Sequence, residues 1–289
     1  MAQLEKVGRE VAEHLEAGAR RGAAQVAPGA EALARFGYAG KGVIYGTVGA
    51  LALSVALGWG GATTDTQGAL LRLQDLPLGP PLVWLLVVGL VGYALWQAVR
   101  ALLDPERQGT GAGGVVKRLG YLLSAAVNLG VAVFAARLAA RGSASRNQDS
   151  EGDAARQVLD LPGGQALLAL AGLILLAVAT NQLYSAWGAL FMKRMAFRDL
   201  GARGRQTLKR VGQFGIAARG LTLGLIGVFL LVGAWRGSAG VVLGTSEVLT
   251  WLREQPAGNL LLGVIALGTL CYGLWCAVQA RYRRIHVRG

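Results

Sequence analysis

Charge is scarce in this chain, and histidine and cysteine are scarcer still. Only 16% of its 289 residues are charged, with two histidines and two cysteines, against a usual quarter charged in globular domains. His14 and His286 both fall in terminal segments, which leaves the apolar bulk without a histidine for metal ligation or acid–base work. Cys271 and Cys276 stand five residues apart, about 140° around a helix, so an intrahelical bridge is excluded and they read as small packing residues. No Ser/His/Asp or Cys/His grouping occurs, nor a glycine-rich phosphate loop between strand and helix. The chain therefore reads as non-enzymatic, with no cofactor and no metal site.

What is abundant is apolar surface. Just over half the residues are hydrophobic, and mean hydropathy is +0.44. Residues Gly42–Thr64, Leu76–Val99, Leu119–Ala136, Leu161–Met192 and Gln255–Ala280 contain no Asp, Glu, Lys or Arg. Each run is long enough to cross roughly 30 Å of hydrocarbon at about 1.5 Å per residue. A sixth, Phe214 to Trp235, is interrupted only by Arg219, about one turn in from its end. The expected fold is an all-α polytopic bundle of six transmembrane helices. Five acidic residues among the first 34 and the lack of an apolar core there argue against a cleavable signal peptide, so the first span is expected to be its own anchor.

Charge sets the orientation. The N-terminus, residues 100–118, residues 192–219 and the tail together hold 22 basic and 8 acidic residues, and the alternate loops hold 7 and 8. The basic side marks the cytoplasm, so both termini are expected there. The net charge of +13 is spread as topology signals over short segments, so nucleic acid is not an expected partner; the lipid bilayer, anionic headgroups or another membrane protein are.

The chain repeats itself. Phe36-Gly37-Tyr38-Ala39-Gly40-Lys41-Gly42 recurs as Phe214-Gly215-Ile216-Ala217-Ala218-Arg219-Gly220, and Pro77, Tyr93 and Trp96 recur as Pro256, Tyr272 and Trp275. A fainter middle copy matches Arg118-Leu119-Gly120-Tyr121 to Arg35-Phe36-Gly37-Tyr38 and Leu159-Asp160-Leu161-Pro162 to Gln74-Asp75-Leu76-Pro77. Its Tyr184-x-x-Trp187 falls six residues later than Tyr93-x-x-Trp96 predicts. The expected organisation is a cytoplasmic amphipathic segment (1–34), repeat one (35–104), a loop (105–116), repeat two (117–190), a basic loop (191–212), repeat three (213–281) and a basic tail (282–289). With two spans each, the repeats enter from one side, giving parallel copies with approximate threefold pseudo-symmetry. Glycines such as Gly37, Gly42, Gly46 and Gly49 permit close helix contact in lipid.

The blocks Arg35-x-Gly37-Tyr38-x-x-Lys41-Gly42, Asp65-Thr66-Gln67-Gly68-Ala69-Leu70 and Gly89-Leu90-x-Gly92-Tyr93-Ala94-x-Trp96 resemble the repeat of the bacterial membrane proteins catalogued as domain of unknown function 1206. The resemblance covers roughly residues 33–282, and the second and third copies depart from its Asp-Thr-Gln-Gly-Ala-Leu block. It implies six spans in a bacterial cell membrane and carries no activity.

Few residues invite a binding role. Lys41 and Arg219 hold one position in repeats one and three, where repeat two has Ser124. Two cations there would snorkel to the interface or hold an anionic ligand or lipid phosphate between them. Asn128, Asn181 and Gln182 are polar groups inside apolar runs, read as interhelical hydrogen-bonding residues. Asp65 reads as a helix cap. Asp149-x-Glu151-x-Asp153 with Asp160 mimics a calcium loop but has Ala154 at the turn glycine's place. A lipid-acting enzyme would need Asp65, Asp149 and Asp153 to converge. The three Tyr-x-x-Trp pairs read as interface anchors. The sequence favours a structural, assembly or partner-binding membrane protein; the alternative is a channel or carrier for a small or anionic solute along the pseudo-threefold axis.

Overall fold

The computed structural model describes residues 29, 31–102, 111–142, 150–197 and 200–284, with the backbone alone at 112, 116 and 150–154. In chain order its helices are α1 (Glu31–Ala56), α2 (Thr66–Gln74), α3 (Gly79–Leu102), α4 (Ala112–Arg141), α5 (Ser150–Leu159), α6 (Gly164–Trp187), α7 (Ala202–Arg236), α8 (Thr245–Glu254) and α9 (Gly258–Tyr282). Six of them, α1, α3, α4, α6, α7 and α9, are long and apolar enough to cross a membrane. The fold is all-α among the described residues, as the charge-free runs predict. The amphipathic pattern of Leu4, Val7, Val11 and Leu15 lies outside the described residues, as does Asp149.

Between the two long helices of every repeat lies a short one, so the unit is long, short, long three times over. Asp65 caps α2, its carboxylate accepting from the Gly68 amide at 2.8 Å, as its place before an amphipathic stretch predicts. The calcium-like stretch of repeat two is helical from Ser150 onward, which removes the loop such a site requires. Each short helix ends at the same corner: Pro77-Leu78-Gly79, Pro162-Gly163-Gly164 and Pro256-Ala257-Gly258. The middle residue is left-handed, with φ of 68° at Leu78, 77° at Gly163 and 61° at Ala257. A Cβ on the following glycine would collide with the carbonyl of Gln74, Val158 or Arg253. The corner therefore reverses the chain in three residues and drops it into the next long helix.

The long helices pack through glycine. Gly37 and Gly92 bring α1 and α3 together, while Gly42 and Gly49 press α1 against α9 around Gly273 and Leu270. Gly215 seats α7 on the Tyr272 backbone of α9, and Gly172 and Gly227 lock α6 to α7. With α3 lying on α4, the order around the bundle is α4, α3, α1, α9, α7, α6, which is the order of three repeats about one axis. The ring stands open between α4 and α6, which share no substantial packing among the described residues.

Each short helix closes one sector. Ala69, Leu70 and Leu73 of α2 bury against Val83, Leu86 and Leu90 of α3 and Ala132, Ala135 and Leu138 of α4. Val248, Leu249 and Leu252 of α8 do the same between α9 and α1, and Ala155 of α5 between α6 and the end of α7. Every short helix thus joins the second span of its own repeat to the first span of the next. At the opposite end, which bears most of the basic residues, the chain is tied by its backbone. Met195 bridges Arg283, the Ala196 amide donates to the Tyr282 carbonyl at 2.8 Å, and Arg284 N donates to Arg194 O at 3.0 Å. Arg35, paired with Glu31, donates to the Ala280 and Arg281 carbonyls at 2.8 and 2.7 Å, satisfying carbonyls that the end of α9 leaves open.

Candidate anion site at the basic end

Helix periodicity puts Tyr38, Lys41 and Tyr45 on one face of α1, at spacings of three and four. That face turns inward. Lys41 is 8% exposed, and its Nζ lies 4.0 Å from the centre of the Tyr93 ring on α3. Among the described residues it makes no ion pair, and its ammonium has no hydrogen-bond acceptor. The Lys41 ammonium thus rests against the aromatic face of α3.

Arg219 of α7, at the equivalent position, is half-buried. Its Nη1 donates to Gln182 Oε1 of α6 at 3.1 Å, and its guanidinium carbon lies 5.0 Å from the Tyr272 ring centre and 5.8 Å from that of Tyr45. Tyr45 and Tyr272 meet edge to face at 4.8 Å, and Tyr38 and Tyr93 at 5.2 Å. Tyr45 stands one turn from Lys41 on α1 and lies under Arg219, so the two cations border one group of tyrosines, and the space among these rings is the candidate site. Their convergence across α1 and α7 follows from the repeat.

Nearer the basic end two further arginines border this space. Arg100 stacks 3.8 Å over Tyr121 of α4 and donates to Gln97 at 2.7 Å. Arg283 lies 4.9 Å over Tyr38 and donates to Gln279 at 2.7 Å. In sequence neither arginine reads as a binding residue, and Tyr93 and Tyr272 read as interface anchors. The signal was present in Tyr93, Gln97 and Arg100 at spacings of four and three, and in Tyr272, Gln279 and Arg283 at seven and four, each set on one helix face.

The magnitudes define what the space can hold. A buried ammonium retains a desolvation penalty of several kcal/mol. One cation–π contact returns about 2 kcal/mol when desolvated. The remainder, raised by the second cation nearby, is what a bound anion would offset. Phosphate or carboxylate chemistry suits a guanidinium beside an ammonium, the first offering a planar fork and the second three donors.

The other residues singled out in sequence separate. Gln182 bonds across helices as expected. Asn128 turns back on its own helix, donating to the Ser124 carbonyl at 2.7 Å, and Asn181 is exposed. The aromatic pairs divide as well: Tyr93, Trp96 and Trp275 are 8%, 3% and 2% exposed, whereas Tyr184 and Trp187 are 67% and 89% exposed. Two of the three pairs are packing residues at helix crossings, and only the displaced middle one has the exposure of an interface anchor. Cys276 is buried and Cys271 half-buried, in keeping with packing roles. Two cavities, of 200 and 440 Å³, lie at the short-helix end and share Ala62 and Thr63.

Three long–short–long repeats about one axis define a multi-pass helical membrane protein. The Domain of Unknown Function DUF1206 matches at residues 36–104, 119–189 and 214–283, and the chain belongs to that family. It is 31% identical over 252 residues to the uncharacterized protein YxxB of Bacillus subtilis (strain 168), covering 87% of this chain and 90% of that protein. No solved structure matches it.

Proposed function

We propose that the protein is a non-enzymatic component of the bacterial cell membrane, with a structural, assembly or partner-binding role and both termini cytoplasmic, and that Lys41 and Arg219 hold an anionic group at its basic end. The observation that carries the anion reading is Lys41, 8% exposed with its ammonium against the Tyr93 ring and no ion pair among the described residues, while Arg219 lies over Tyr45, one turn from it. The distribution of Lys and Arg between alternate loops supports the orientation.

The test is native mass spectrometry of the protein gently extracted from its own membrane. The expected result is a stoichiometric anionic adduct in the wild type that is lost in Lys41→Met. Spectra identical for wild type and variant would sink the anion reading. A stoichiometric protein partner would identify the assembly role directly.

The same cation pair favours one other reading, a carrier of small anions along the pseudo-threefold axis. Against it stands the backbone contact of α1 with α9, where a Cβ on Gly42 would lie 3.0 Å from the Gly273 carbonyl, leaving little room for a path between these helices. Flux of a permeant anion into proteoliposomes, abolished by Lys41→Met, would favour the carrier.

A further inference from the structure

We infer that the anion is the phosphate of an anionic phospholipid, which reaches Lys41 and Arg219 sideways, through the opening between α4 and α6. This rests on the anion reading above and adds the ligand class and its route.

The route follows from where the ring is open. In repeats one and three the first glycine of the hairpin is covered. A Cβ on Gly37 would lie 2.5 Å from Tyr93 Cβ, and one on Gly215 would collide with the Tyr272 backbone. Gly120, the same residue of repeat two, has nothing within 4 Å. The offset of 85 that carries Asp75 to Asp160 and Pro77 to Pro162 carries Tyr93 to Val178 and Gln97 to Gln182. The covering tyrosine is therefore replaced by a valine, 40% exposed, while the glutamine that meets an arginine is kept. Gln182 on α6 binds Arg219, so one wall of the opening touches the cation cluster. On α4, the third equivalent of Lys41 and Arg219 is the small Ser124, which leaves the cluster short of a side chain on that side.

The walls suit acyl chains better than water. On α4, Leu123 and Val127 are 54% and 57% exposed, and on α6 Ile174 and Val178, one turn apart on the face of Gln182, are 42% and 40% exposed. Two cations at the headgroup end of an apolar, laterally open face match the two ends of one phospholipid: phosphate at the cations, chains along the opening. A free inorganic phosphate shares the headgroup chemistry but gains nothing from these walls.

The experiment titrates delipidated protein in detergent with phosphatidylglycerol, phosphatidylcholine or inorganic phosphate, read by native mass spectrometry. Wild type, Lys41→Met, Lys41→Arg and Gly120→Leu are compared, each checked for an unchanged melting midpoint. The expected result is one phosphatidylglycerol per chain, bound at least tenfold more weakly by Lys41→Met, restored by Lys41→Arg and weakened severalfold by Gly120→Leu, with phosphatidylcholine a poor competitor. Phosphate binding that needs Lys41, without phosphatidylglycerol binding, overturns the lipid inference and leaves the anion reading standing. Binding of neither overturns both. Equal binding of both lipids, indifferent to Lys41, marks annular lipid only and overturns the inference. So does a dimer that excludes phosphatidylglycerol and dissociates in Gly120→Leu, since a second copy then fills the opening. Should Lys41→Met fail to fold, Gly120→Leu decides, because a Cβ at Gly120 has none of the described residues within 4 Å.

Discussion

Gly37 and Gly215 each press against a tyrosine across their hairpin, whereas Gly120, at the same place in the middle repeat, faces open space. The flanking repeats have spent their glycines on contact. The middle one has kept the glycine and lost the tyrosine, its Tyr-x-x-Trp pair displaced to Tyr184 and Trp187, far out on α6 and exposed. The three copies nevertheless keep the Pro-x-Gly corner and the short helix that joins each repeat to the next. What the comparison teaches is that ring order and ring closure are separate properties. The corners and short helices set the order, and the glycine–tyrosine crossings close the hairpins, two of three times.

The comparison breaks hardest at the tryptophans. Trp275→Ala removes a side chain 2% exposed, where Trp187→Ala removes one 89% exposed. The first is expected to cost about 3–5 kcal/mol, as for buried Trp truncations generally, and the second less than about 0.5 kcal/mol. Reversible unfolding in mixed detergent measures both, and equal costs would mean that α6 is covered in the folded protein. Next comes the glycine pair. Gly215→Leu forces the α7 and α9 backbones apart and is expected to cost about 3 kcal/mol, whereas a Cβ at Gly120 has none of the described residues within 4 Å, and Gly120→Leu is expected to leave the melting midpoint unchanged. A matching loss at Gly120 would show that the middle hairpin closes.

Much of this was legible from sequence, for reasons that can be located. Charge-free runs exist because hydrocarbon tolerates no unpaired charge, so the six long helices announce themselves. Asp65 announces its cap because a short side chain before an amphipathic run has one good use. The inward turn of Lys41 was harder, since depth in a span allows both snorkelling and burial, and only the Tyr38 and Tyr45 spacing tips the balance. The opening between α4 and α6 could not be read. It depends on what faces Gly120, and repeat two carries a Tyr-x-x-Trp that sits six residues too late to do so. The short helices of repeats two and three were missed because their sequences, beginning at Ser150 and Thr245, keep the Asp-Thr-Gln-Gly block that marks α2 only in part, as Asp149 and Gly152 in the one and Thr245 in the other.

At the corners the middle repeat is the better built. Its left-handed residue is Gly163, where repeats one and three place Leu78 and Ala257 at φ of 68° and 61°. A residue with a Cβ in that region costs roughly 1–2 kcal/mol, so Leu78→Gly and Ala257→Gly are expected to raise stability by about 1 kcal/mol each, and Gly163→Ala to lower it by a similar amount. Opposite signs from Ala257→Gly and Gly163→Ala, which each change one methyl, with Leu78→Gly following Ala257→Gly, would show that the three corners share one backbone, whatever their sequences.

Smallest is the cap. Asp65 Oδ1 accepts a hydrogen bond from the Gly68 amide, whereas α8 starts from Gly244 with no side-chain cap. Asp65→Ala is expected to cost about 1 kcal/mol, and Gly244→Asp to return a few tenths if the extended backbone there, φ −85° and ψ −163°, lets the new carboxylate reach the Glu247 amide. Hydrogen exchange at Gly68 and Glu247 reads the two caps separately. Faster exchange at Gly68 with no change in global stability would mean that α2 is held by Ala69, Leu70 and Leu73 alone. Its cap would then set only the fraying of its first turn, and the short helices would owe their places to the two spans they join.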